Sequence, residues 1–160
     1  MSIHVLVSPS PHVKPLLQKQ IQAAVDRIAQ DFGWSSGQIS IAILDDERIQ
    51  EINRQYLQHD YPTDVISFDL TESDEILEGE ILVSWETAAR VAQEQPWPPQ
   101  LEMLLYVIHG MLHIIGLDDD TPAHTRRMRQ HERHYMQAIA GDTTPCNPAK
   151  PTKPPSKGHS

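Results

Sequence analysis

Residues 99–116 read PQLEMLLYVIHGMLHIIG, the most apolar stretch of a 160-residue chain. Leu101, Leu104, Leu105, Val107, Ile108, Met111, Leu112, Ile114 and Ile115 cover most sides of a 3.6-residue repeat. A helix that is apolar nearly all round belongs in the middle of a core, so a central buried helix is expected from about Pro99 to Ile115. Pro98 and Pro99 suit its start, and Gly116 supplies the left-handed residue that stops it.

Working outward, a helix from about Trp85 to Gln95 precedes it and is closed by Pro96. Thr121 and Pro122, as cap and first helical residue, open a last helix carrying Met128, Tyr135 and Ile139. Further back, Val65–Phe68 and Ile81–Ser84 read as strands joined by a polar loop, Thr71 to Glu78, as a hairpin or a crossover. Ile3, Val5 and Val7 alternate as a half-buried strand does, and Ile39–Leu44 is another. Between those two, Leu16, Leu17, Ile21, Ala24, Val25 and Ile28 recur at helical spacing, with Gly33 just past the end. Asp45 or Asp46 can cap a helix bearing Ile49, Ile52, Asn53 and Tyr56. Four strands and about five helices in mixed order predict an α+β or α/β sandwich with helices covering the sheet.

Composition bounds the function. Thirteen Lys and Arg against 22 Asp and Glu give a net charge of −9. An acidic chain has no global field for a polyanion, so a nucleic-acid role needs a local basic patch or a metal ion. No run approaches the roughly 18 apolar residues of a membrane helix. The start of the chain lacks a secretory pattern, and one cysteine, Cys146, cannot form an internal disulfide; together these point to the cytoplasm. Residues 142–160 hold five prolines and three lysines with almost nothing apolar. They are expected to be a disordered tail behind a domain spanning 1–141.

Within the central helix, His109 and His113 stand four apart and share a face, close enough to share a metal ion. Gly116 then turns the chain into Leu117, Asp118, Asp119 and Asp120, where a carboxylate can fold back toward both rings. Two imidazoles and Asp119 would make an open zinc site of the catalytic kind. The alternative is a pair of satisfied core histidines. Gly110 occupies the position at which an H-E-x-x-H peptidase carries its glutamate base, so that chemistry is disfavoured. A second cluster runs from Asn53 to Phe68, with Asp60, Pro62, Thr63 and Asp64 before the strand. It is either functional or simply a helix-to-strand connection.

Taken together, three blocks resemble the YbeY family of bacterial endoribonucleases, the ribosomal RNA maturation factors. They are Ile52–Phe68, with Tyr56, Asp60 and Pro62-Thr63-Asp64-Val65-Ile66-Ser67-Phe68; Glu78–Ser84, similar to L-G-D-I-x-I-S; and His109–Asp119, similar to H-G-x-L-H-x-x-G-Y-D-H. Order and spacing match over about residues 3–140. The resemblance implies an α+β fold with a mixed four-stranded sheet, a zinc ion held by three histidines, and hydrolytic cleavage of RNA. It links that cleavage to maturation of the 16S ribosomal RNA 3′ end and to ribosome quality control, with ribosomal RNA and the small subunit as partners and no DNA. Carried over residue by residue, the ligands are His109, His113 and Asp119, the last standing where the family has histidine. His124 is the fallback third ligand. Leu57 stands where the family usually has arginine, Arg54 is the candidate substitute for meeting phosphate, and Leu117 replaces an aromatic. Asp118 either orients water or caps the turn. Arg126, Arg127, Arg129 and Arg133 form a phosphate-binding patch or a solvated helix face. The rival to an RNA hydrolase is a non-catalytic ribosome-assembly factor; a hydrolase of another substrate is a third reading.

Overall fold

The computed structural model describes residues 3–56, 64–95 and 97–141. In chain order the elements are β1 (Ile3–Val7), α1 (Pro15–Asp31), β2 (Gly37–Leu44), α2 (Asp46–Tyr56), β3 (Val65–Asp69) and β4 (Leu77–Ser84). They continue with α3 (Trp85–Glu94), α4 (Pro99–Ile114) and α5 (Pro122–Ala140). The sheet order is β1-β2-β4-β3. β1 and β4 both run parallel to β2, and β3 runs antiparallel to β4. This is the α+β fold with a mixed sheet and a buried central helix that the sequence implied. The tail from Asp142, and Leu57, Asp60, Pro62 and Thr63 in the connection after α2, lie outside the described residues.

The polar loop proves to be a hairpin, and it is shorter than composition suggests. β4 begins at Leu77, which is 1% exposed and pairs with Gly37. The strand expected from Ile81 extends back through Gly79, which pairs with Ile39 and Asp69 and has no room for a side chain beside Ile114. A Cβ there would lie 2.7 Å from Ile114 Cδ1 and 3.0 Å from the Phe68 carbonyl. Thr71 closes the turn, accepting from the Glu78 N–H at 3.0 Å and donating to the Glu78 carbonyl at 3.1 Å.

Period-2 alternation divides the sheet between two cores. Val65, Ile81 and Val83 face the main core with α1, α4 and α5, while Ile66 and Leu82 face the opposite side and pack on Ile49 of α2. Asp45, rather than Asp46, caps α2: its Oδ1 accepts from the Arg48 N–H at 2.8 Å. Asp46 instead ties α2 to α3, accepting from Thr87 Oγ1 at 2.8 Å and from Arg90 at 2.9 Å.

α4 packs against α1, α3, α5, β3 and β4. It approaches the sheet closely at Gly110, where a Cβ would sit 2.9 Å from Ile81 Cγ2 and 3.4 Å from Val65 Cγ2. The helix therefore needs the missing side chain next to His109. Its apolar reading also hides a polar line: Glu102 and Tyr106, a turn apart, are 0% and 2% exposed. Trp97 donates its indole N–H to Glu102 at 3.0 Å, giving that carboxylate a partner.

Candidate metal centre

The site forms at the C-terminal end of α4. There the Gly116 N–H donates to the His113 carbonyl at 3.0 Å and the Leu117 N–H to the Leu112 carbonyl at 2.9 Å. That pair of bonds is the Schellman stop, and it requires the positive φ of +113° that Gly116 adopts. Leu117 is 8% exposed, so its burial pulls the chain back over the helix end. On the far side of the turn, Thr121 caps α5 by accepting from the His124 N–H at 3.0 Å, and Thr125 Oγ1 donates to the Asp119 carbonyl at 3.0 Å. Asp119 is thus pinned from both sides.

The result brings together the three residues expected from spacing. His109 Nε2 and His113 Nε2 are 3.1 Å apart. Asp119 Oδ2 lies 3.8 Å from His109 Nε2, and Oδ1 lies 3.7 Å from His113 Nε2. All three donors lie within 4.8 Å of one another. A tetrahedral ion with bonds of about 2.0–2.1 Å sets its donor atoms roughly 3.4 Å apart, so these separations fit one such ion.

The tautomer fits as well. Glu132 of α5, 1% exposed, places Oε2 2.6 Å from His109 Nδ1. A carboxylate only accepts, so Nδ1 carries the proton and the Nε2 lone pair points into the site, the carboxylate–histidine arrangement of metal centres. Arg129 reaches the other oxygen of Glu132 at 3.4 Å. Burial opposes a charge on His109, but the hydrogen bond and charge of Glu132, with Asp64 and Asp119, hold its pKa above the ordinary imidazole value. Asp64, 6% exposed just before β3, adds its charge to His109 and to Tyr106, whose hydroxyl is pushed well up chiefly by burial.

Of the remaining candidates, His124 is not part of this group. It is half-exposed, with Nδ1 2.6 Å from Asp120 Oδ1. Asp118 is exposed on the turn. Arg54 belongs to the last turn of α2, the helix whose Ile49 packs on the sheet face away from α4. Leu57 lies outside the described residues. Glu132 was missed by spacing, although one signal was available: it is an acid in step with Met128, Tyr135 and Met136 on the buried side of α5.

A family model described as Endoribonuclease YbeY matches residues 8–140. The chain belongs to that family. A protein of Rhodopirellula baltica named Endoribonuclease YbeY is 46% identical over 120 residues, covering 74% of this chain and 61% of its own length. Namesakes from Salinibacter ruber and Parabacteroides distasonis are 35% and 36% identical over 74% and 76% of this chain, and 81% and 85% of theirs. The chain thus spans about three-fifths of the R. baltica relative and most of the other two. In fold, it resembles the solution structure of TM1509 from Thermotoga maritima, with a TM-score of 0.63 at 24% identity over 95% of this chain and 99% of the other. Within the YbeY family's H-G-x-L-H pattern, this member keeps both helical histidines and carries a carboxylate at the third place. Among the described residues no helix is long and apolar enough to cross a membrane.

Proposed function

We propose that this YbeY-family chain is a zinc-dependent endoribonuclease of the cytoplasm. It would cut single-stranded RNA in maturation of the 16S ribosomal RNA 3′ end and in ribosome quality control, with ribosomal RNA and the small subunit as partners. The observation that carries this reading is the convergence of His109, His113 and Asp119, with Glu132 fixing the first ring, in a chain whose curated relatives are named endoribonucleases.

A divalent cation held by those three donors would supply Lewis acidity at neutral pH. The chain's own groups define the rest. Glu132 holds the His109 proton at Nδ1, so the ring offers a lone pair at Nε2. Asp119 brings one negative charge where three histidines would bring none, which favours holding a cation and softens its pull on a phosphoryl oxygen. Asp118, exposed on the same turn, is assigned to orient the attacking water, and Arg54, carried on α2, to meet RNA phosphate away from the metal centre.

The second reading, an assembly factor without cleavage, is favoured by two positions of the sequence: Asp119 in place of histidine and Leu57 in place of arginine. Incubation with a single-stranded ribosomal RNA 3′ fragment separates the two. Cleavage that is lost with chelator and in His113→Ala, with one metal ion per wild-type chain and none in the variant, supports the nuclease. Small-subunit binding with no cleavage at any zinc concentration supports the assembly factor. Full metal content in His113→Ala defeats the site itself.

A further inference from the structure

α5 carries four of the chain's arginines and one acid, Glu132, in a molecule of net charge −9. At about 100° per residue, Met128, Glu132, Tyr135 and Met136 share the buried side. The opposite side presents Arg126, Gln130, Arg133 and Gln137, flanked by Arg127 and His134, all exposed and without a carboxylate among them. Four other arginines make a contrast, one of them Arg129 of α5 itself. Arg27, Arg48, Arg90 and Arg129 are each paired with an acid, at 3.5, 2.8, 2.9 and 3.4 Å respectively. Among the described residues, Arg126, Arg127 and Arg133 have no carboxylate partner. An acidic protein that leaves three guanidinium groups exposed on one helix with no carboxylate partner holds a local positive field against its overall charge. His131, at the edge of this face, feels that field: burial lowers its pKa first, and the charges of Arg127 and His134 lower it further.

The face is also joined to the metal centre. Glu132 contacts His109 from the buried side, Arg129 holds the other oxygen of Glu132, and Arg126 and Arg133 lie about 60° further round the same helix. Arg126 and Arg133 are seven residues apart, roughly 10 Å along the axis, so the charges form a line and not a point.

We infer that this face of α5 is a landing surface for the phosphate backbone of a single-stranded nucleic acid, lying outside the metal site and holding the strand by Arg126, Arg127 and Arg133. It rests on the reading of the chain as an RNA-acting protein and names where the strand beyond the cut is gripped. Backbone contact of this kind carries affinity without sequence choice.

The test is Arg126→Gln/Arg127→Gln/Arg133→Gln in the full chain, with circular dichroism to verify the fold. Binding of a fluorescent single-stranded oligoribonucleotide is followed by anisotropy across a salt series, with and without zinc. Losing three phosphate contacts lowers the slope of log affinity against log salt by about 2, so that wild type weakens roughly 20-fold more than the variant between 50 and 200 mM salt. Cleavage of a long RNA then shows a raised KM at unchanged kcat, while a dinucleotide is cut as before. An unchanged slope and KM in the variant overturn the inference and leave the nuclease reading intact. Loss of polyglutamate binding with RNA binding unchanged also overturns it, in favour of an acidic protein partner. A wild-type chain that binds no RNA removes the functional reading, and the inference falls with it.

Discussion

Glu132→Gln isolates one interaction at the metal centre with little change of shape. The carboxylate is 1% exposed and 2.6 Å from His109 Nδ1, so the bond is charge-assisted and dry. Such bonds contribute about 1.5–3 kcal/mol, roughly twice the neutral kind. Glutamine keeps an acceptor oxygen for the ring proton but loses the charge, so about half of that remains. The expected loss in metal affinity is about tenfold for Glu132→Gln and near 100-fold for Glu132→Ala, within the range that carboxylates behind a ligating histidine show. The assay is zinc competition against a chromophoric chelator at fixed pH and salt, with thermal melts to verify the fold. Arg129, the other partner of Glu132, is about a third exposed, so its unpairing costs little. Equal zinc affinity in wild type and Glu132→Gln would refute the reasoning, because the charge of Glu132 would then not strengthen His109 as a ligand.

Two further outcomes follow from the packing and the charges. Gly110→Ala places a methyl 2.9 Å from buried Ile81 Cγ2, and overpacking of that kind costs about 1–3 kcal/mol, against roughly 1 kcal/mol gained in helix propensity; urea melts should show a net loss, and a more stable variant would mean the sheet yields. Asp46 is pushed up by burial, but hydrogen bonds from Ser84, Thr87 and Arg90 and the Arg90 charge outweigh that and set its carboxyl below the ordinary value. Its contribution is therefore present above the unfolded pKa near 4 and lost as pH falls through the folded one. Asp46→Asn should be about 1–2 kcal/mol less stable at pH 7, with the difference closing below about pH 4. A gap that is constant with pH would show that the carboxylate charge is not involved.

How far the sequence reaches depends on which signal each feature leaves. α4 declares itself through nine apolar positions on most sides, and its end through Gly116, because no other residue takes φ +113° readily. His109, His113 and Asp119 are legible because helical spacing and a tight stop fix where three donors meet. Glu102 and Tyr106 were not, since a buried acid contradicts the expectation that charge marks surface, and its partner Trp97 belongs to the preceding segment. Glu132 was hidden for a related reason: its phase on α5 is visible, but nothing in the chain says that His109, 23 residues earlier, lies opposite. The choice between Asp119 and His124 turned on the backbone anchors from Leu117 to Thr125, which spacing does not specify.

The centre is assembled from halves with unequal freedom. His109 and His113 are locked into a helix so close to the sheet that Gly110, next to His109, lacks even a methyl group. Asp119 rides on a short bend held by main-chain anchors, its side chain 23% exposed beside the two rings. Selection can therefore exchange the third donor with no repacking of the interior, and chemical character can drift at position 119 while the scaffold beneath stays as it is. A carboxylate at position 119, where the resemblance of the sequence implies an imidazole, is what such a division of constraint would leave behind.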